Sequence, residues 1–253
     1  MAYTTGDRLK LTATSGNYST VRIDIPASNK TINFMLMACT DGDNNIYPVI
    51  EIGTQVWMAE NLKTTKYNDN SSIPLVIGNT AWSALSTPGY CWYNNDSPAN
   101  KDIFGAIYNG YAADAASNGG KNVCPTGWHV PTDIQWSTLT DFLINNGYGN
   151  QGSGASIAKS MAATSGWTTT TGYGLVGNIQ TSNNASGFTA RPGGFRSSSN
   201  GSYLNIFDIG YWWSATAFYT SSAYYRNLDY SCSEVFRYYS SKREGLSVRC
   251  IKD

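Results

Sequence analysis

The sequence predicts a protein of the α+β class, with strands towards both ends of the chain and helices in the middle. Three observations point to this class. Apolar and polar residues alternate near the N-terminus, residues 131–147 show helical spacing behind a cap, and aromatic strand-like segments follow residue 210. With 253 residues, the chain can form one large domain and a short appendage.

Residues 1–45 are predicted to be that appendage, a small N-terminal β segment. LKLTAT and STVRIDIPA alternate as half-buried strands do, and NKTINFMLMA is a candidate third strand. Three strands are near the lower limit for independent stability, so we interpret the segment as an attachment or homo-oligomerisation element. The alternative is that it forms the first sheet of the main domain, residues 46–253.

The main domain begins with a strand, a turn at Gly53 and a second strand in YPVIEIGTQVWMAENL. Residues 68–100 are rich in turn residues and predict irregular loops, and IFGAIYNGYAA is apolar enough for a buried strand. ASIAKSMAA predicts a short helix, residues 164–210 predict loops with short strands, and the C-terminal segment predicts strands again.

The clearest helix lies in PTDIQWSTLTDFLINNG. Thr132 is a suitable N-cap, Asp133 suits the positive end of the helix dipole, and Gly147 follows the end. Helical spacing predicts one buried face with Trp136 at its flank. The residues of that face are Ile134, Leu139, Phe142 and Leu143.

The charge balance excludes several kinds of partner. Charged residues are 13% of the chain, against a usual share of about 25%, and 17 Lys and Arg balance 17 Asp and Glu. Nucleic-acid binding and membrane-surface anchoring depend on clustered positive charge, which this composition does not favour. No apolar stretch approaches the roughly 18 residues of a membrane helix, so we expect no membrane insertion.

Little in the sequence supports catalysis or a metal site. His129 is the single histidine, and the five cysteines contain no CxxC pair that would indicate zinc. Residues 41–45, DGDNN, space oxygen atoms like a calcium loop, but Ile52 stands where an EF-hand needs a bidentate Glu. A hairpin turn is the better interpretation, and we expect no enzyme activity, cofactor or metal ion.

Six short motifs follow one another along the chain: IGTQVWMAENL, CWYNND, CPTGWHVPTDIQW, FTARPGGFR, YWWSAT and GLSVRCIKD. Together they resemble the Fibrobacter succinogenes major paralogous domain family over roughly residues 46–253. The resemblance implies a C-type lectin-like fold, of the branch shared with formylglycine-generating enzymes. Formylglycine generation would need reactive cysteines late in the chain, where only Cys232 and Cys250 are found.

The large side chains of these motifs suit a scaffold, because indole rings can fill a core and guanidinium groups can tie loop carbonyls together. The residues concerned are Trp57, Trp128, Trp136, Trp212, Trp213, Arg191, Arg196 and Arg249. Gly193 and Gly194 permit a tight turn. Cys124 and Cys250 would form a disulfide if the fold brings them together in an oxidising compartment.

Residues 217–241, AFYTSSAYYRNLDYSCSEVFRYYSS, carry the functional prediction. Six of these 25 residues are Tyr and six are Ser. Tyr supplies large, stiff contact area and Ser supplies adaptable hydrogen bonds, a combination typical of antibody paratopes. So many hydroxyl groups would be costly to bury, so we predict an exposed binding surface. The alternative is a Tyr- and Ser-rich edge hairpin of an ordinary surface module.

The same segment fits a coding pattern. If the adenines of an ancestral run of Asn codons were randomised, every residue of the segment except Glu234 would be reachable. With the family resemblance, this pattern is similar to the variable protein of a diversity-generating retroelement. The expected fixed spacers are Arg226, Leu228, Val235 and Arg237. The predicted variable, ligand-binding positions, together with Ala217, are Phe218, Tyr219, Thr220, Ser222, Tyr224, Tyr225, Asn227, Asp229, Tyr230, Ser231, Cys232, Ser233, Phe236, Tyr238, Tyr239, Ser240 and Ser241.

The sequence therefore predicts a non-enzymatic protein of adhesion or receptor binding, whose partner is a protein or glycan on a target cell. Such variable proteins are similar in role to phage receptor-binding tips or bacterial surface binders, so we expect a virion tail tip or an extracellular, cell-surface location. The first residues lack the apolar core of a secretory signal, which suits release by lysis or a signal already removed. The alternative function is a carbohydrate-binding surface module of fixed specificity.

Overall fold

The structure, a computed structural model, describes residues 2–16, 18–152 and 154–253. Within these ranges the chain forms two β-sheets and several helices. The strands are β1 (Leu9–Ser15), β2 (Tyr18–Asp24), β3 (Val49–Ile52), β4 (Gln55–Met58), β5 (Tyr90–Cys91), β6 (Ile107–Asn109), β7 (Trp128–His129), β8 (Gly193–Arg196), β9 (Tyr203–Ile206), β10 (Ile209–Tyr219), β11 (Ser222–Asp229), β12 (Phe236–Ser241), β13 (Gly245–Leu246) and β14 (Ile251–Lys252). The helices are α1 (Asn79–Ser83), α2 (Ser97–Phe104), α3 (Gly110–Ala113), α4 (Asp133–Asn145) and α5 (Ala158–Met161). The α+β class is confirmed, and no helix of these ranges has the length and apolar character to cross a bilayer.

The first sheet brings both ends of the chain together, in the order β1-β2-β3-β4-β14-β7. β3 and β4 form the predicted hairpin. Its turn requires Gly53, which has a φ of 64° and whose Cβ, if present, would lie 2.8 Å from the Phe142 ring. Ile251 of β14 pairs with Trp57 of β4 and with His129 of β7, so the last strand lies between β4 and the edge strand β7.

The N-terminal hairpin, β1 and β2, extends this sheet. β2 runs parallel to β3, with Thr20 opposite Val49. The predicted third strand is wrong, because residues 31–37 form no strand. They lie along β2 through side-chain contacts instead, as where the Thr20 hydroxyl donates to the Met35 carbonyl at 2.9 Å. A side chain that takes up a backbone carbonyl in this way competes with ladder formation.

The second sheet has the order β12-β11-β10-β8-β13-β6-β5, with β9 also paired to β8. β10, β11 and β12 form an antiparallel meander in which β12 is the edge strand. Gly193 and Gly194 begin β8 and do not form the predicted turn. A Cβ on Gly194 would lie 2.4 Å from the carbonyl oxygen of Leu204 in β9, so glycine permits the close approach of two strands there.

The region of residues 68–100 is more regular than predicted, because α1, β5 and the start of α2 lie in it. Asp96 caps α2 by accepting from the backbone N–H of Ala99 at 3.2 Å, and Pro98 occupies the first turn, where its missing N–H costs nothing. The strand predicted in IFGAIYNGYAA is shorter than expected, because only the three residues of β6, between α2 and α3, form a strand.

The predicted central helix is α4, and its start is as expected. The Thr132 hydroxyl accepts from the backbone N–H of Gln135, whose side chain accepts from the backbone N–H of Thr132. Its predicted buried face is partly wrong, since Trp136 is fully buried whereas Ile134 is 77% exposed. Residues two apart on a helix point to opposite sides, so burying Trp136 turns Ile134 to solvent.

The scaffold predicted from the motifs is largely confirmed. The indoles of Trp57, Trp128, Trp136, Trp212 and Trp213 are all buried. Arg196 is also fully buried, and its guanidinium donates to the carbonyls of Val76, Ile77 and Gly201 at 2.5–2.9 Å. One side chain thereby joins two loops that are distant in sequence.

A second arginine and a disulfide fix the C-terminal strand. Arg249 is fully buried and donates to the Asn61 side chain at 2.7 Å and to the Thr189 carbonyl at 3.2 Å. Burial lowers the pKa of this guanidinium to about 9. Cys124 and Cys250 form a disulfide with their Cα atoms 5.9 Å apart, so the fold meets the condition of proximity stated for this pair.

Candidate functional site

Most of the predicted variable segment, residues 217–241, lies in the meander of β10, β11 and β12. β11 is its middle strand and β12 is its edge strand among the strands that the structure describes. Large rings remain in contact with solvent there. Tyr219 is 66% exposed, Tyr238 53% and Tyr239 52%. The meander thus presents phenol rings at an open sheet edge.

Four rings on one face of the meander form what we call the aromatic cluster, Phe218, Tyr219, Tyr224 and Tyr239. The neighbours Phe218 and Tyr219 share this face because the pairing of β10 with β11 shifts register between Ala217 and Tyr219. Phe218 and Tyr239 stack with their centroids 3.7 Å apart and their planes at 21°. The Tyr219 ring lies 4.4 Å from that of Phe218, and the Tyr224 ring lies 5.3 Å from it. Three strands therefore hold the rings in fixed positions, which lowers the entropy lost when a partner binds.

The opposite face carries Tyr225 and Tyr238, because neighbouring residues of a strand point to opposite faces. The Tyr225 ring lies 6.1 Å from Tyr238 and 6.4 Å from the buried Trp213. Burial raises the pKa of Tyr225 to about 12. Tyr225 therefore connects an exposed ring to the core and contributes to stability as well as to the surface.

An ion-pair network fastens the meander to helix α4. Asp133 accepts from the Arg226 guanidinium at 2.7 Å and from that of Arg237 at 2.9 Å. Burial opposes ionisation of Asp133, but the hydrogen bonds from Arg237 and Arg226 outweigh it, and the pKa of the carboxyl is lowered. The Arg237 guanidinium also lies 4.0 Å from the centre of the Tyr224 ring, a cation–π contact.

Three of the four expected spacers have inward or anchoring roles in this geometry. Arg226 is 2% exposed and Leu228 is fully buried. Arg237 is half exposed but is held by Asp133. The role of Asp133 was missed, because an acidic residue in the first turn of a helix is sufficiently explained by the helix dipole.

The loop between β11 and β12 is held through its backbone. The N–H of Gly177 donates to the carbonyl of Tyr230 at 2.7 Å, and the N–H of Val176 donates to that of Cys232 at 3.1 Å. Backbone hydrogen bonds of this kind do not depend on the identity of the side chain at either residue. The loop can therefore change its side chains and keep its path.

The expected exposure is wrong for two of the predicted binding positions, because the fold buries them. Ser222 is 8% exposed and Asn227 is 7% exposed. Both lie on β11, which β10 and β12 flank on either side. The Ser222 hydroxyl accepts from the backbone N–H of Tyr219 at 3.2 Å and so closes the β10–β11 turn.

The other predicted positions are exposed in whole or in part, and their role in binding stays a prediction. They are Ala217, Phe218, Tyr219, Thr220, Tyr224, Tyr225, Asp229, Tyr230, Ser231, Cys232, Ser233, Phe236, Tyr238, Tyr239, Ser240 and Ser241. Sequence composition did not indicate the framework rings outside the segment. The ring of Tyr211, for example, has its centroid 5.9 Å from that of Tyr225, so it adds a further aromatic contact to that ring.

Across the described ranges, no group of three or more His, Cys, Asp or Glu side chains is arranged to hold a metal ion. Residues 41–45 form the predicted hairpin turn, with Thr40 bridged to Ile46. The Asp41 carboxylate accepts from the backbone N–H of Asn45 at 3.0 Å, so the turn itself uses this oxygen. His129 lies 2.5 Å from the Asp253 carboxylate, beside the first turn of α4.

Comparison with known protein families gives one match. The family described as the Fibrobacter succinogenes major domain matches residues 50–252. No curated protein and no solved structure matches the chain. The matched range includes the aromatic cluster, the Asp133 network and the disulfide, and it leaves β1 and β2 outside. This chain belongs to the Fibrobacter succinogenes major domain family.

Proposed function

We propose that this protein is a non-enzymatic binding protein whose meander attaches to a protein or glycan on a target cell surface. The observation that carries the proposal is the aromatic cluster, a set of rings packed against one another and still open to solvent. Tyr-rich surfaces of this kind give large contact area at low entropy cost, with hydroxyl groups for hydrogen bonds. Phe218, Tyr219 and Tyr239 would be the anchors of the interface.

We further propose that a diversity-generating retroelement varies this surface on a C-type lectin-like frame. The separation of roles in the meander supports the idea. Inward residues such as Leu228 and the Arg226–Asp133 pair hold the strands, and backbone hydrogen bonds hold the loop that contains Tyr230 and Cys232. Side chains at the exposed positions can then be exchanged with little effect on the frame.

The proposed location is a virion tail tip or the extracellular side of a cell. The disulfide between Cys124 and Cys250 supports an oxidising environment, because disulfides are rare in proteins that stay in a reducing cytosol. A protein that presents a binding face to other cells also has to reach them.

A binding experiment with a matched control tests the proposed function. The double variant Tyr219→Ala, Tyr239→Ala removes two exposed rings of the aromatic cluster, and Tyr173→Ala removes a ring that is 71% exposed elsewhere. Labelled proteins are applied to a panel of bacterial cells and to a glycan array. We expect the double variant to lose binding by at least about 100-fold, as loss of two hot-spot side chains would cause, and Tyr173→Ala to bind normally. Equal binding by all three proteins would overturn the proposal.

The diversification is tested at the level of the gene. We expect a near-identical repeat of the sequence coding for residues 217–241 downstream, beside a reverse transcriptase gene. Its mismatches should fall only at template adenines. Mismatches spread over all four bases would contradict the idea. If natural variants of the protein then share one narrow glycan ligand on the array, the fixed-specificity carbohydrate module is the correct function.

A further inference from the structure

A cleft of about 400 Å³ lies between the N-terminal hairpin and the main domain. β1 and β2 contribute Lys10, Thr12 and Ser19 to its lining, and the main domain contributes Asn61 and Arg191. None of its lining residues belongs to the meander. Its volume is within the roughly 300–1,000 Å³ that small-molecule sites occupy.

Positive charge predominates in this cleft. Its charged lining residues are Lys10, Lys63, Lys101, Arg191, Glu60 and Asp102. Lys63 and Asp102 neutralise each other through an ion pair of 2.9 Å. Three cations then remain against the single carboxylate of Glu60, in a protein with no formal net charge.

The cations have too few partners of their own. Among the described residues, Arg191 has no ion-pair partner. The Lys10 ammonium has only a long contact of 3.4 Å to the Thr189 hydroxyl. Partial desolvation of the Lys10 ammonium in the cleft and the nearby charge of Arg191 lower the pKa of Lys10, against the opposing effect of Glu60. An anion placed between Lys10 and Arg191 would relieve this repulsion.

A second guanidinium, that of Arg249, lies directly behind the cleft. Arg249 is fully buried and donates to Asn61 and Thr189, which both line the cleft. Its Nε atom is buried and has no acceptor in the described part of the chain. The positive potential of the cleft therefore comes from its wall as well as from its surface, and a buried charge is screened less by salt than an exposed one.

We propose that this cleft binds a small oxyanion, the carboxylate of a sugar acid or a phosphate group. The guanidinium of Arg191 can donate two parallel hydrogen bonds to such a group, and the Lys10 ammonium can donate a third. The hydroxyls of Thr12 and Ser19 line the same space and suit the hydroxyl groups of a ligand. The shared chemistry is an oxyanion on a polar, hydroxyl-bearing molecule.

The two cations of the site lie on different parts of the fold, so a bound anion would contact both parts. Lys10 belongs to β1, and Arg191 belongs to the segment before β8. A bound anion would join the N-terminal hairpin to the main domain across the cleft. Binding should therefore protect the backbone amides of β1 and β2 from hydrogen exchange, because ligands stabilise the states that bind them.

Calorimetry with the full chain at constant ionic strength tests the site, with inorganic phosphate, glucuronate and neutral glucose as probes. We expect phosphate or glucuronate to bind, and the arm that binds identifies the source of the anion. Glucose should give no heat. Arg191→Gln and Lys10→Gln should each weaken binding at least about tenfold, the size of one lost charge-assisted hydrogen bond. Arg191→Lys should weaken it less.

Arg243→Gln is the matched control, because Arg243 is an exposed cation outside the cleft. It should leave anion affinity unchanged. The site is refuted if neither anion binds, if glucose binds as well as the anions, or if Arg243→Gln weakens binding as much as Arg191→Gln. Lys10 is exposed, so Lys10→Gln keeps the fold and the test remains valid even if an Arg191 variant does not fold.

Discussion

The N-terminal hairpin and the meander are both antiparallel edges of a sheet, but they are attached in different ways. In β1 and β2, Val21 alone is buried, and the other described side chains are exposed or half exposed. In β11, five of eight residues are buried. The meander is thus held by the inward side chains of its middle strand, whereas the hairpin depends on pairing with β3. Strands that are anchored through a buried neighbouring strand can carry large exposed rings while their backbone stays in place.

Truncating one leucine in each region tests this difference in attachment most directly. Leu228→Ala in β11 removes a fully buried side chain, and we expect a loss of about 3 kcal/mol in the free energy of unfolding. Leu11→Ala in β1 removes a half-exposed one, and the loss should be below about 1 kcal/mol. Urea denaturation measures both. Similar losses would mean that the two edges are attached alike.

The next largest effect is expected for the ion pairs. Asp133→Asn leaves the buried Arg226 guanidinium without its carboxylate, and we expect it to cost about 2 kcal/mol. Its counterpart near the hairpin is the ion pair of Lys30 and Asp24, where Lys30→Gln should cost less than about 0.5 kcal/mol, because the lysine is largely exposed. Thermal unfolding of both variants gives the comparison, and equal shifts in Tm would contradict it.

The same carboxylate gives the meander a dependence on pH. Because folding lowers the pKa of Asp133, its contribution to stability is complete above the unfolded-state value of about 3.9 and is lost as the pH falls through the lowered folded value. Wild-type stability should therefore fall more steeply below pH 4 than that of Asp133→Asn. Urea midpoints between pH 2 and pH 6 measure this difference. Parallel curves would show that Asp133 does not contribute to the slope.

Local signals in the sequence were sufficient for much of the frame. The cap at Thr132 predicted the start of α4, and Gly53 predicted the β3–β4 turn, because each depends on residues within a few positions. Burial on both sides of a strand could not be predicted in the same way. Ser222 and Asn227 are polar residues in a polar run, and nothing in their neighbours along the chain indicates that the fold buries them.

Contacts between distant parts of the chain were also beyond the sequence patterns. Asp133 meets Arg226 and Arg237 across separations of 93 and 104 residues, and nothing in its own surroundings indicates two arginine partners. The cleft at Lys10 and Arg191 arises in the same way, from a hairpin and a loop that the fold brings together. Composition predicted a binding surface at residues 217–241, and the tertiary fold shows which contacts hold that segment in place.

The smallest effects on stability are expected at exposed positions of either edge, and there the two regions should differ in function alone. Thr220→Tyr at the tip of the meander and Thr14→Tyr on β1 both add a ring to an exposed site, and each should change stability by less than about 0.5 kcal/mol. Only Thr220 borders the aromatic cluster, so only Thr220→Tyr should alter which cells or glycans are bound. The measurement is the cell panel and glycan array used for the ring variants, beside a denaturation curve for each protein. If Thr14→Tyr changes the binding pattern as much as Thr220→Tyr does, the binding surface is not confined to the meander.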